Sequence, residues 1–152
     1  MIKVFILSLC LSAQLCIAQA IQSNSAIHHP IEAKHAMVSS QEALASKVGL
    51  TILKQGGNAI DAAVAIGFSL AVTLPQAGNL GGGGFMMIHL ATENRTIALD
   101  FRETAPASAS KDMFLDTNGN VNHQQSRFSI LSSGTPGTVH GLLTALEEYG
   151  SM

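Results

Sequence analysis

The residue best suited to bind a ligand is an arginine in the sequence Asp100-Phe101-Arg102-Glu103. It stands at the end of a predicted strand in a chain of 152 residues of which 12% are charged, against about 25% in an average soluble domain. A guanidinium can hold a carboxylate through two parallel hydrogen bonds, which makes Arg102 a candidate anion site. The alternative is an ion pair with Asp100, two residues back on the same strand face, and spacing alone favours that alternative.

Four consecutive glycines at positions 81–84 are the second candidate. Phosphate-binding glycine loops lead from a strand into a helix, whereas this run follows a predicted helix and precedes a predicted strand. Two interpretations stay open. The glycines allow one backbone to approach another closely, or their amides bind an anion or an oxyanion.

Other kinds of site find little support in the sequence. The six histidines lack the spacing of a metal-ligand set, and Ser133 lacks the Gly-x-Ser-x-Gly context of a nucleophilic serine. A formal net charge of −2 gives no basic stripe for nucleic acid. We therefore expect no metal site, no Ser-His-Asp triad and no nucleic-acid interface.

The N-terminus reads as a secretory signal over residues 1–20. Lys3 precedes a short apolar run that ends in Ala18-Gln19-Ala20, a cleavage pattern, and the run is shorter than the roughly 20 residues that span a membrane. Both cysteines lie inside this segment, so the mature chain is expected to have no disulfide and no thiolate. Residues 21–33 are predicted to be an extended leader, and the protein is expected to be periplasmic or secreted.

Two helices are predicted next. An apolar run at 36–39 suits a strand, and Ser40 is then positioned to cap a helix over 41–55 that two glycines end. Asn58 and Asp61 have the spacing of a capping box for a second helix over 59–74. This second helix is apolar on every side, which predicts burial on every side.

The remaining pattern predicts a hairpin and two more helices. A buried strand at 85–90 is followed by a turn and by alternating residues at 96–102. A short helix capped by Ser110 is predicted over 111–115, a tight turn at Asn118-Gly119, and a last helix over about 138–149. The order of helices and strands indicates a mixed α/β (α+β) fold.

Several long motifs resemble the N-terminal part of the large subunit of bacterial gamma-glutamyltranspeptidases, over about residues 30–152. The motifs are Met37-Val38-Ser39-Ser40, Gly56-Gly57-Asn58-Ala59-Ile60-Asp61-Ala62-Ala63-Val64-Ala65, Pro75-Gln76-Ala77-Gly78-Asn79-Leu80-Gly81-Gly82-Gly83-Gly84-Phe85-Met86, Asp100-Phe101-Arg102-Glu103-Thr104-Ala105-Pro106-Ala107, Asp112-Met113-Phe114-Leu115 and Ser133-Gly134-Thr135-Pro136-Gly137-Thr138-Val139.

The resemblance implies an Ntn-hydrolase fold, an αββα four-layer sandwich that is incomplete in this chain. It implies an enzyme that moves the gamma-glutamyl group of glutathione to water or to an amino acid or peptide, with no metal and no organic cofactor. Arg102 matches the family arginine that binds the alpha-carboxylate of the glutamyl donor, which reverses the preference for an ion pair. Glu103 is expected to belong to the same wall of the site.

The family's threonine nucleophile and its Asn-Thr-Thr context are absent from these 152 residues. Residues 34–152 are therefore expected to be an N-terminal piece whose partner is the C-terminal remainder, or small subunit, of the same precursor. The low charge would then reflect surface that this remainder covers. Alternatives are a cephalosporin (glutaryl) acylase of the same superfamily, a non-catalytic glutamyl-binding fragment, and a fragment that does not fold alone.

Overall fold

Four α-helices and a two-stranded sheet form the part of the chain that the structure, a computed structural model, describes, which is residues 31–152. The predicted signal, the two cysteines and most of the predicted leader lie outside the described residues. Internal contacts group residues 36–152 into one unit. The elements are α1 (Ala43–Lys54), α2 (Ala59–Thr73), β1 (Phe85–Leu90), β2 (Arg95–Asp100), α3 (His123–Phe128), a 3-10 turn (Ile130–Ser132) and α4 (Thr138–Tyr149).

Helix α1 begins two residues later than the sequence predicts, and its cap is Glu42 rather than Ser40. The Glu42 carboxylate accepts the backbone N–H of Ala45 at 2.9 Å. Ser40 supports this cap from outside, because its hydroxyl donates to the Glu42 carbonyl at 2.8 Å. The predicted end is confirmed, since Gly56 has a φ of +99°, a left-handed conformation that favours glycine.

Two short predicted elements are wrong. Residues 36–39 form no strand, since none of the described residues pairs with them and a strand needs a neighbour for its hydrogen bonds. Residues 111–115 form turns instead of a helix, and Leu115 pairs with Val121 across the predicted Asn118-Gly119 turn. The sequence prediction missed α3, although its cap Asn122, which accepts the N–H of Gln125 at 3.0 Å, was a usable signal.

The capping box of α2 is confirmed. The Asn58 side chain accepts the N–H of Asp61 at 3.0 Å, and the Asp61 carboxylate accepts the N–H of Asn58 at 2.7 Å. The predicted burial on every side is wrong for residues 31–152, because the main contacts of α2 are with α1 and α4 and Val72 is 79% exposed. None of the helices in the described part of the chain has the length and apolar character needed to cross a membrane.

Strands β1 and β2 form the predicted antiparallel hairpin, with Phe85 opposite Asp100 and Leu90 opposite Arg95. One face of β1 is covered, where Ile88 is 5% exposed. The other face is not, because Phe85 and Met87 are 66% and 69% exposed. The strand exists as predicted, but its predicted burial is met on one face only.

The core lies where α2 and α4 meet the covered face of the hairpin. Val64, Leu142 and Ala145 are buried at its centre. Gly67 on α2 permits close contact with α4, since a Cβ at this position would lie 2.9 Å from a methyl carbon of Leu142. Partly buried side chains surround this centre: Ile60, Phe68, Met86, Leu99, Phe101 and Leu146.

Asp61 also ties the start of α2 to the chain that leaves α4. Its carboxylate accepts the hydroxyl of Ser151 at 2.7 Å and the backbone N–H groups of Ser151 and Met152 at 3.1 and 3.4 Å. Burial raises the pKa of the Asp61 carboxyl, but these hydrogen bonds and that from Asn58 outweigh it. The pKa therefore lies below the ordinary value of 3.8.

Asp61→Asn is expected to destabilise the fold at pH 7 by about 1–3 kcal/mol, because it weakens hydrogen bonds to a charged acceptor. A carboxyl group whose pKa is lower in the folded state than in the unfolded state contributes its full stabilisation of the fold at pH values above its unfolded pKa. This contribution is lost as the pH falls below about 4. Urea unfolding of the 152-residue chain from pH 7 to pH 3 should show a shallower loss of stability for the variant. Asp112→Asn, at an exposed position, is the control; equal pH slopes for parent and Asp61→Asn would contradict the assignment.

Candidate functional site

Arg102 and Glu103 lie two and three residues after the end of β2, and both are exposed. The alternative ion pair is not formed: Asp100 accepts the backbone N–H of Arg102 at 3.0 Å. Within residues 31–152 the only salt bridge joins Arg95 and Glu93, at 2.8 Å. The Arg102 guanidinium is thus open to solvent and not neutralised by a carboxylate of the described chain.

The glycine run forms a tight backbone crossing with the residues around Arg102. Gly84 and Phe101 exchange two backbone hydrogen bonds of 3.3 and 3.0 Å. A Cβ at Gly83 would lie 2.6 Å from the Phe101 carbonyl oxygen and 2.6 Å from the Glu103 nitrogen, closer than any real side chain permits. Of the two interpretations of this run, the structure supports the close approach of one backbone to another.

A second glycine-containing segment also lies in close contact with Phe101. A Cβ at Gly137 would overlap the Phe101 carbonyl group, and one at Gly141 would overlap the Phe101 ring. Gly137 also donates its N–H to the Gly82 carbonyl at 2.9 Å, which links the two glycine segments directly. Sequence reasoning missed the role of Gly137, which is the N-cap of α4, and of Gly141 in the first turn of that helix.

Residues 101–104, called the clamped segment below, are therefore in close contact with two glycine-containing segments. Two backbone hydrogen bonds also join this segment to Thr135. The Thr104 N–H donates to the Thr135 carbonyl at 3.2 Å, and the Thr135 N–H donates to the Thr104 carbonyl at 2.8 Å. Arg102 and Glu103 thus project from a backbone whose position is set by packing rather than by flexible loop contacts.

A cleft of about 260 Å³ opens beside Glu103. The apolar part of the cleft is lined by Met113, Phe114 and Leu131. The polar residues that line the cleft include Glu103, Ser132 and Ser133. Arg102 lies outside this cleft. No three His, Cys, Asp or Glu side chains gather into a metal-binding group between residues 31 and 152.

The family model for gamma-glutamyltranspeptidase matches residues 45–152, most of the chain. The chain belongs to the gamma-glutamyltranspeptidase family. Among curated relatives, it is 60% identical over 126 residues to the glutathione hydrolase proenzyme of Escherichia coli, and 52% identical over 128 residues to that of a Pseudomonas species. These matches cover 83% and 84% of this chain but 22% of each relative, so the chain spans about a fifth of their length.

Solved structures of the family confirm the predicted fold class. The Helicobacter pylori gamma-glutamyltranspeptidase matches with a TM-score of 0.76 and 53% identity, over 81% of this chain and 35% of that one. The described residues are accordingly part of an Ntn-hydrolase αββα fold. A cephalosporin acylase from Bacillus halodurans matches with a TM-score of 0.60 at 22% identity, over 88% of this chain and 25% of that one, a likeness of fold alone.

Gly137→Ala is expected to destabilise the chain by about 1–3 kcal/mol, because its methyl group has no space beside the Phe101 carbonyl. The backbone amide signals of residues 101–104 should shift in an NMR spectrum of the variant, since the clamped segment must move to make room. Gly78→Ala is the matched control, where the nearest atom to an added Cβ is 4.0 Å away. Equal unfolding midpoints for Gly137→Ala and Gly78→Ala would show that the contact between Gly137 and the clamped segment is not tight.

Proposed function

We propose that the protein of which this chain forms part is a gamma-glutamyltransferase and glutathione hydrolase. It takes the gamma-glutamyl group from glutathione or a related amide and passes it to water or to an amino acid or peptide. The observation that carries this proposal is the exposed Arg102 guanidinium, which has no ion-pair partner within residues 31–152, on the clamped segment of a chain that belongs to this family. The enzymes named among its relatives support the same activity.

Arg102 and Glu103 suit the charges of a glutamyl group. The alpha-carboxylate of the donor is planar and anionic, so the guanidinium can bind it through two parallel hydrogen bonds. The alpha-ammonium of the same donor is cationic, and the Glu103 carboxylate is the adjacent anionic group. In this assignment Arg102 binds the donor carboxylate and Glu103 forms part of the same wall.

The nucleophile of this reaction is proposed to be a threonine supplied by the C-terminal remainder, or small subunit, of the same precursor. Its oxygen attacks the gamma-carbonyl carbon, the C–N bond breaks, and the leaving amine carries away the proton. The relatives are named proenzymes, which supports a precursor cut into subunits. The signal-like residues 1–20 support a periplasmic or secreted location.

The alternative of a cephalosporin acylase has weaker support. The likeness to such an enzyme is 22% in identity, against 53% and 60% for the gamma-glutamyltranspeptidase and glutathione hydrolase relatives. A glutaryl group carries a carboxylate at the same distance from its acyl carbon as a gamma-glutamyl group does, but it lacks the alpha-amine. Arg102 can therefore bind the carboxylate of either group, and the alpha-ammonium, for which Glu103 is the adjacent anionic group, distinguishes the two substrate classes.

The test is a chimera in which residues 45–152 replace the matching segment of the Escherichia coli relative. Arg102→Ala is expected to lower kcat/KM for gamma-glutamyl-p-nitroanilide about 100-fold or more, because charged hydrogen bonds are worth about 1.5–3 kcal/mol each. Arg102→Lys should recover part of this loss, since lysine keeps the positive charge but cannot form the two parallel hydrogen bonds of a guanidinium. Arg95→Ala, which removes a surface ion pair, is the control.

Two results would overturn the proposal. One is an Arg102→Ala chimera with the parent's kcat/KM. The other is a parent chimera that cleaves glutaryl-p-nitroanilide as well as it cleaves the gamma-glutamyl compound, which would favour the acylase alternative.

The 152-residue chain alone is expected to release no p-nitroaniline from gamma-glutamyl-p-nitroanilide, because the family's threonine context is absent from its residues. Isothermal calorimetry with glutamate on the same sample tests the non-catalytic alternative. Binding that Arg102→Ala removes would show that the donor site exists without the nucleophile. Turnover by the chain alone would contradict the assignment of the nucleophile to the remainder of the precursor.

A further inference from the structure

We infer that Asp100 is a positioning residue for the donor site: its carboxylate holds the backbone of Arg102 and does not itself touch the substrate. The inference deepens the proposed function and rests on it, since the direction of the Arg102 guanidinium matters only if that group binds the donor carboxylate. The hydrogen bond between the two residues, the side of the hairpin on which Asp100 lies and the free guanidinium carry the argument.

The hydrogen bond spans two residues at the point where β2 ends. The Arg102 N–H donates to the Asp100 Oδ1 at 3.0 Å. On either side of this amide, Phe101 and Thr104 are held by backbone-to-backbone hydrogen bonds. Aspartate commonly closes a turn of this kind, because its short side chain reaches the N–H two residues ahead. The Asp100 carboxylate therefore takes the place of a neighbouring strand for the Arg102 amide.

The place of Asp100 in the hairpin leaves its carboxylate available for this bond. Side chains alternate along a strand, and Leu99 and Phe101 pack against the core. Asp100 therefore lies on the opposite side, where it is exposed and stands across from Phe85, itself 66% exposed. Within residues 31–152 its carboxylate makes this one hydrogen bond and no ion pair.

The hydrogen bond lets an anionic group lie beside Arg102 without neutralising it. An ion pair with Asp100 would occupy the guanidinium, and the donor carboxylate would have to displace it. Because the Asp100 carboxylate accepts the backbone N–H instead, the guanidinium keeps its N–H donors for a ligand. A backbone that is fixed in advance loses less freedom on binding, which raises affinity. Asp100 is therefore expected to act on the KM for the donor rather than on kcat.

Two other roles of Asp100 predict different outcomes. In the first, its carboxylate binds the alpha-ammonium of the donor directly, which requires the negative charge. In the second, Asp100 acts through His140, because both residues line a cavity of about 90 Å³ beside Phe101. No salt bridge joins Asp100 and His140 in the described part of the chain. Binding of the donor carboxylate by Asp100 is excluded, because like charges repel.

The test is a crossed pair of substitutions in the chimera described above. Asp100→Asn keeps the oxygen that accepts the Arg102 N–H but removes the charge. Asp100→Glu keeps the charge, but its longer side chain does not favour the turn that aspartate and asparagine form. We expect Asp100→Asn to keep the parent's KM for gamma-glutamyl-p-nitroanilide within about twofold. Asp100→Glu should raise this KM about tenfold and leave kcat within about twofold of the parent value.

The matched controls are Asp112→Asn and Asp112→Glu, at an exposed position outside the clamped segment, and both should leave the KM unchanged. Equal KM values for Asp100→Asn and Asp100→Glu would overturn the inference. A larger rise in KM for Asp100→Asn than for Asp100→Glu would show that the charge binds the donor ammonium, and would also overturn it. His140→Ala should match the parent, and a rise in KM like that of Asp100→Glu would show that Asp100 acts through His140 instead.

Arg102→Ala in the same chimera separates this inference from the proposed function. If Arg102→Ala loses kcat/KM while both Asp100 variants match the parent, the positioning role is wrong and the proposed function stands. If Arg102→Ala also matches the parent, both are wrong.

Hydrogen exchange checks the hydrogen bond itself. In a chimera labelled with ¹⁵N-arginine, the Arg102 amide signal is assigned by its loss in Arg102→Lys. We expect this amide to exchange at least about fivefold faster in Asp100→Glu than in the parent or in Asp100→Asn, because exchange follows the opening of the hydrogen bond. Equal exchange in all three proteins would show that Asp100 does not hold the Arg102 backbone and would overturn the inference.

Discussion

The rest of the structure depends on how closely two glycine-containing segments approach the backbone after β2. Gly83 lies against the Phe101 carbonyl oxygen and the Glu103 nitrogen, and Gly137 and Gly141 lie against the Phe101 carbonyl group and ring. Each of these contacts leaves no room for a methyl group, so packing density fixes the backbone more firmly than its few hydrogen bonds would. The clamped segment therefore presents Arg102 and Glu103 from a defined position while their side chains stay exposed.

This placement gives neighbouring residues different surroundings. Arg102 faces solvent with no partner in the described chain, and Glu103 borders an apolar cleft. A pair of opposite charges on a fixed backbone suits a zwitterionic ligand, because each charge of the ligand meets its complement.

The described residues form a core but leave much apolar surface uncovered. Val72 on α2 and Phe85 and Met87 on the hairpin are more than half exposed. The match covers 35% of the Helicobacter pylori enzyme. The part of that enzyme that corresponds to this chain therefore belongs to a larger fold.

The sequence by itself determined the features that depend on local chemistry. The Asn58–Asp61 capping box, the end of α1 at its glycines, the hairpin and α4 follow from hydrogen-bonding groups and periodicity a few residues apart. Prediction from the sequence failed for the Ser40 cap, for the strand at 36–39 and for the helix at 111–115, where the outcome depends on which hydrogen-bond partner is available. Spacing alone favoured an Arg102–Asp100 ion pair, which is not formed, because the Asp100 carboxylate accepts the backbone N–H of Arg102 instead. The two interpretations of the glycine run could not be decided from spacing. Only the tertiary structure decided them, because residues 82–84, 101–104 and 134–141 meet through contacts between segments that are distant in sequence.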